Sequence, residues 1–122
     1  HNGPYLGGAS YQKLGNVKPW PNQKDQGRYE VSKNEADKML FKVPSLRNVA
    51  KTAPYFHDGS IAQLPEAVRK MAFHQLGRTL SDEETRAIVA FLEALTGELP
   101  SEYIKKPELP ASGPKTPKAD LS

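Results

Sequence analysis

Most of the aliphatic side chains in this 122-residue sequence lie between residues 41 and 98, flanked by a glycine- and proline-rich head and a proline-rich tail. This distribution limits the fold more than any single motif, because only the middle segment has the periodic apolar positions that close a core. The head carries Gly3, Pro4, Gly7, Gly8, Gly15, Pro19, Pro21 and Gly27, which is loop and turn chemistry, and little regular structure is expected over 1–40. Beyond Leu99 stand five of the eleven prolines, Pro100, Pro107, Pro110, Pro114 and Pro117, interleaved with Lys, Ser and Ala. Such a mix buries too little apolar surface to offset its ordering entropy, so an extended or disordered arm is expected. The chain therefore reads as one domain over 1–98 and a Pro-rich tail over 99–122, without internal repeats.

Three helices are legible. Ser81 followed by Glu84 forms a capping box, Asp82 and Glu83 sit where the helix dipole favours anions, and the pattern predicts a helix over 82–96. Ile88, Val89, Phe91, Leu92 and Leu95 make one apolar stripe, by which this helix should pack, and Gly97 suits a left-handed C-terminal residue. A second helix, about 64–74, starts with Pro65 in its first turn, carries Leu64, Val68, Met71 and Ala72 on one face and ends before Gly77. A short helical turn from about Leu46 to Ala50 would be capped by Ser45 after the restricted Val43-Pro44 pair. No strand pattern persists, so the fold class is mainly α and loop-rich.

Several function classes are excluded or disfavoured. Lys plus Arg exceed Asp plus Glu by 17 to 14, a net charge of +3 that is too even for a nucleic-acid binder. No apolar run reaches the length of a membrane span, and no charged-then-apolar leader opens the sequence. Zero cysteines remove disulfides, thiolate metal sites and thiol nucleophiles from these residues. Nucleophile-elbow, phosphate-loop and His-Glu-x-x-His motifs are missing. The carboxylates Asp82, Glu83, Glu84 and Glu93 fall on predicted solvent faces and are assigned no chemistry. With 37% hydrophobic and only 8% aromatic residues, a mostly helical chain of this kind is short of core and points to a bound cofactor at its centre.

The segments His1-Asn2-Gly3-Pro4-Tyr5-Leu6-Gly7-Gly8, Phe41-Lys42-Val43-Pro44-Ser45-Leu46-Arg47-Asn48 and Thr52-Ala53-Pro54-Tyr55-Phe56-His57-Asp58-Gly59 resemble the C-terminal haem domain of the bacterial di-haem cytochrome c peroxidases. Leu64 to Met71, Gln75-Leu76-Gly77, Leu80 to Glu84 and Ile88 to Leu92 continue the match in order and at about the family's spacing. It covers residues 1–98 and leaves the tail out. The resemblance implies a class I cytochrome c-like haem domain whose haem c is attached through Cys-x-x-Cys-His. The matching histidine is His1, so both cysteines would lie just upstream of residue 1, and a truncated chain is implied.

The resemblance further implies His1 and Met71 as the axial iron ligands. An imidazole and a thioether together hold a low-spin, high-potential haem. Read without the resemblance, Met71 is core packing at helical spacing, and Met39, in the loop-rich part, is the other methionine. Pro44, Leu46, Tyr55 and Phe56 would wall the haem, Arg47 would pair with a propionate, and His57 would sit near the face between two haem domains, bonding a propionate or a backbone carbonyl. Thr52 and Pro54 are candidate calcium ligands through backbone carbonyls. His74 is expected to be exposed, and Trp20, in Lys18-Pro19-Trp20-Pro21, reads as a loop anchor.

The implied function is electron transfer within a periplasmic peroxidase carrying two haems. This domain would take electrons from a small cytochrome c or copper protein and pass them to a second haem, where hydrogen peroxide is reduced to water. The peroxide-handling residues would lie in a domain outside this sequence, and the resemblance leaves room for a homodimer. A stand-alone monohaem electron carrier, a related di-haem enzyme that modifies tryptophan in a partner protein, and a cofactor-free helical interaction module are the alternatives. The tryptophan-modifying relatives carry tyrosine at the distal position, which Met71 disfavours.

Overall fold

The computed structural model describes residues 1, 3–98, 100–108 and 111–117; Asn2 of the opening motif, Leu99 at the tail boundary and Pro110 lie outside the described residues. Two helices dominate, α2 (Leu64–Leu76) and α3 (Asp82–Ala94). The head and the loops before α2 contain a two-stranded antiparallel sheet of β1 (Tyr11–Lys13) and β2 (Leu40–Lys42), one turn of helix α1 (Tyr29–Ser32), and 3-10 turns at Glu35–Asp37 and Val49–Lys51. No helix among the described residues is long and apolar enough to cross a membrane.

The start of α3 follows from its local chemistry. Ser81 is extended, its Oγ accepts from the Glu84 N–H at 3.1 Å, and Glu84 Oε2 accepts from the Ser81 N–H at 2.8 Å. These two bonds satisfy two of the orphan donors at a helix start. The other end differs from expectation. The helix stops at Ala94, Leu95 caps it with φ −83°, and Gly97 stays outside the left-handed region. The Gly97 N–H donates instead to Asn48 Oδ1 at 2.9 Å, and the Asn48 N–H donates to Leu95 O at 3.1 Å. A partner remote in sequence thus replaces the local cap.

The packed face of α3 is also narrower than the expected stripe. Thr85 is 1% exposed, its hydroxyl donating to Ser81 O at 2.8 Å, and Leu92, two turns on, is buried as well. Ile88 and Phe91 remain 37% and 52% exposed. A stripe at i, i+1, i+3 and i+4 is wider than one neighbouring helix covers, and α3 packs against α2 and the Val49–Lys51 turn.

Helix α2 starts with Pro65 in its first turn and closes at Gly77, φ 66°, where the Arg78 N–H reaches back to Ala72 O at 3.1 Å. The expected turn after Ser45 lies three residues later, at Val49–Lys51 behind a left-handed Asn48. Ser45 Oγ is occupied elsewhere, accepting from the Arg47 N–H at 3.2 Å and donating to Tyr5 O at 2.6 Å. The sheet, unexpected from the sequence, pairs Tyr11 with Lys42, Gln12 with Phe41 and Lys13 with Leu40. Strands of three residues are too short to show an alternating pattern. The core is a cluster of Leu14, Trp20 and Met39, with Phe41, Phe56 and Met71 packed against it. The described tail residues are exposed.

Candidate functional site

The opening residues are laced onto the segment that follows β2. The Gly8 N–H donates to Val43 O at 2.8 Å, the Leu46 N–H to Leu6 O at 3.2 Å, and Arg47 Nη2 to Pro4 O at 3.1 Å, its guanidinium lying over the Tyr5 ring. Within this lacing His1 Nδ1 stands 3.1 Å from Pro44 O. A carbonyl only accepts, so Nδ1 carries a proton, and this contact leaves Nε2 unengaged. Gly7 makes room for the pair. It has φ +131°, and a Cβ built on it would lie 2.1 Å from Pro44 O and 3.0 Å from His1 Nδ1.

Met71 is half-buried on α2 against the cluster of Leu14, Trp20 and Met39. Trp20 is 4% exposed, consistent with a loop anchor, and its ring lies 4.5 Å from Phe56 and 4.8 Å from His74. His74 corrects the expectation of exposure. It is buried, with Nδ1 2.9 Å from Lys18 O and its ring edge-on to Trp20. The 15–20 loop folds over the end of α2 and covers it. Gln75, beside His74, makes two bonds to the same loop and a third to Lys13 O at the end of β1.

The Thr52 to Gly59 segment is ordered by backbone and side-chain contacts. Tyr55, half-buried, pairs with Ile61 through its N–H at 2.7 Å. Phe56 is half-buried at φ 69°, and exposed His57 stacks on Phe41 at 4.3 Å. Asp58 Oδ2 accepts from Asn22 Nδ2 at 3.1 Å and Oδ1 from the Ser60 N–H at 3.1 Å. Partial burial pushes the Asp58 carboxyl up, but the Ser60 and Asn22 hydrogen bonds and the neighbouring His57 outweigh it and hold the group below the ordinary range. Thr52 and Pro54 are both exposed, Thr52 Oγ1 donating to Val49 O at 3.1 Å. Pro44 and Arg47 are exposed and Leu46 is half-buried.

The structure therefore joins His1 with Pro44, gathers Phe56 and Met71 around the Trp20 cluster, and sets His57 on Phe41. Among the described residues no group of three or more His, Cys, Asp or Glu side chains is arranged to hold a metal ion. A shallow groove of about 350 Å³ between α2 and α3 is lined by Arg69, Asp82, Arg86 and Glu93 and includes none of the candidate residues. The sequence reading missed the buried His74 and the bonding of Gln75. The one available signal was the i, i+4 spacing of Gln75 from Met71.

No family model matches the chain. It is 49% identical over 120 residues to a cytochrome c551 peroxidase of Nitrosomonas europaea, covering 98% of this chain and 35% of that protein. A cytochrome c551 peroxidase of Pseudomonas aeruginosa is 43% identical over 123 residues, covering 97% of this chain and 35% of the relative. In sequence the chain is similar to the cytochrome c peroxidases. It spans about a third of the length of these cytochrome c551 peroxidases. Among solved structures it is similar to a MauG-like protein associated with microbial copper homeostasis, at 28% identity and a TM-score of 0.54, covering 80% of this chain and 37% of that one.

Proposed function

We propose that this chain forms the electron-receiving haem portion of a di-haem cytochrome c peroxidase, which takes electrons from a small cytochrome c or copper protein and passes them to a second haem, where hydrogen peroxide is reduced to water. The observation that carries this reading is the His1–Pro44 pair. A metal-bound histidine characteristically donates its other ring N–H to a backbone carbonyl, and His1 Nδ1 stands 3.1 Å from Pro44 O, with a glycine where any side chain would intrude.

The side chains present fit a haem c. His1 would offer Nε2 and Met71 its thioether to hold the iron. Tyr55 and Phe56, half-buried, with Pro44 and Leu46 would exclude water from the ring. Arg47 has its guanidinium exposed, where a propionate could replace its single bond to Pro4 O. When bound, a haem would supply a one-electron couple, which the soft thioether of Met71 would bias toward the reduced state. Covalent attachment would need thiols from outside this sequence, which has no cysteine. A class I cytochrome c-like domain over 1–98 with a tail over 99–122, and a periplasmic location, belong to the same proposal. So does a calcium ion near Thr52 and Pro54: these two exposed residues would give backbone carbonyl oxygens, and the remaining ligands would come from elsewhere.

The test is rapid mixing of the whole haem-loaded protein with a reduced small cytochrome donor, followed by peroxide. The haem bearing the Met71 ligand should be reduced first, and peroxide consumption should depend on that step. Electron entry that is unchanged when Met71 is replaced overturns the proposal.

A further inference from the structure

We propose that Gln75 is a positioning residue for the Met71 thioether, clamping the Lys13–Lys18 segment onto the last turn of α2 and so holding Leu14 and Trp20 in the cluster against which Met71 packs; this rests on the reading of Met71 as an iron ligand. Gln75 Oε1 accepts from the Gly15 N–H at 2.7 Å and the Asn16 N–H at 3.2 Å, and Nε2 donates to Lys13 O at 2.9 Å. His74 extends the clamp. Its carbonyl accepts from the Val17 and Lys18 N–H groups, each at 3.0 Å, and its ring Nδ1 is 2.9 Å from Lys18 O.

The loop has little freedom once so bonded. Gly15 sits at φ +77° with its open side 2.6 Å from Trp20 N, measured from an ideal Cβ, and the Leu14 N–H is fixed to Met39 O at 2.8 Å. Leu14 and Trp20, on either side of this turn, are buried members of the cluster against which Met71 packs. Gln75 is four residues after Met71, so the two share a helix face. In an α-helix the residue-75 N–H also closes on the residue-71 carbonyl. A methionine side chain has three rotatable bonds and no rotamer stiffness of its own. Its direction must therefore come from the walls around it, and the Gln75 amide holds those walls. The Gln75 amide both accepts and donates here, and its two accepted bonds are the ones that hold the Gly15–Asn16 turn.

The experiment uses the whole haem-loaded protein with Gln75→Leu, Gln75→Glu and Met71→Ala. The readouts are the sulfur-to-ferric-iron charge-transfer band, the midpoint potential, and hydrogen exchange at the Gly15 and Asn16 amides. Met71→Ala should abolish the band; a band that survives it removes the ligand reading, and the clamp proposal with it. Gln75→Leu should release the two amides, weaken the band and lower the potential. Gln75→Glu keeps the acceptor, and should keep Gly15 protected and most of the band. If Met71→Ala abolishes the band while Gln75→Leu leaves band and potential unchanged, the positioning role alone is overturned. Should Gln75→Leu not fold, Gln75→Glu decides: a protected Gly15 with a lost band also overturns it.

Discussion

Replacing Gly7 with alanine probes the contact that carries the functional reading. At φ +131° an L-residue is strained by about 1–3 kcal/mol. The added Cβ would also lie 2.1 Å from Pro44 O and 3.0 Å from His1 Nδ1. The near atom is backbone, which cannot swing aside as a flexible side chain does, so overpacking costs a further ~1–3 kcal/mol. Gly8→Ala is the matched control. It has φ +84° and no heavy atom within 4 Å of the built Cβ, so it suffers only the backbone strain. Urea unfolding of the two variants in the whole protein should therefore place Gly7→Ala about 2 kcal/mol below Gly8→Ala. Equal destabilisation would refute the reasoning, because it would mean that residue 7 does not press on the His1–Pro44 pair.

Other outcomes follow from the helix caps and loops. Ser81→Ala should cost about 1 kcal/mol in denaturant unfolding, since the hydroxyl is the acceptor for the Glu84 N–H. The Ser81 backbone N–H, with Arg78 beside it, holds the Glu84 carboxyl below its ordinary 4.5. A lowered carboxylate contributes stability in full above the unfolded value and loses it as pH falls, so the acid limb of the stability curve below pH 4.5 should be flatter in Glu84→Gln than in the parent. The proposed calcium site near Thr52 and Pro54 predicts that chelation in the whole protein slows electron transfer between the two proposed haems. An unchanged rate after verified removal counts against Thr52 and Pro54 as ligands.

What the sequence disclosed depended on how local the determining contacts are. The Ser81–Glu84 box and the Gly77 stop involve residues within one turn of each other, and both stand as read. Gly97 looked like a local cap but bonds to Asn48, 49 residues away, and nothing near Gly97 announces that partner. His74 is buried because a loop some 56 residues earlier folds over it, offering Lys18 O to its ring. Periodicity on α2 alone could not show this. Ile88 and Phe91 share the stripe of Leu92 yet stay exposed, because apolar spacing reports which face is apolar and not what covers it. The His1–Pro44 pair, 43 residues apart, is likewise a product of the folded head. Only the resemblance had singled out both residues.

The claim at the centre of the account is that Met71, rather than Met39, serves with His1 as an axial ligand. Imidazole donates more strongly than a thioether and stabilises ferric iron, so Met71→His should lower the midpoint potential of this haem in the whole protein. A fall on the order of 100 mV in a one-electron couple amounts to ~2 kcal/mol, enough to turn a downhill step from the donor uphill. Met39 is 7% exposed and packs with Leu14 and Trp20, so Met39→Leu should leave the sulfur-to-iron band in place. A spectroelectrochemical titration of the two variants beside the parent supports the account if only Met71→His loses the band and shifts downward. An unaltered potential in Met71→His, with the band lost in Met39→Leu, contradicts it.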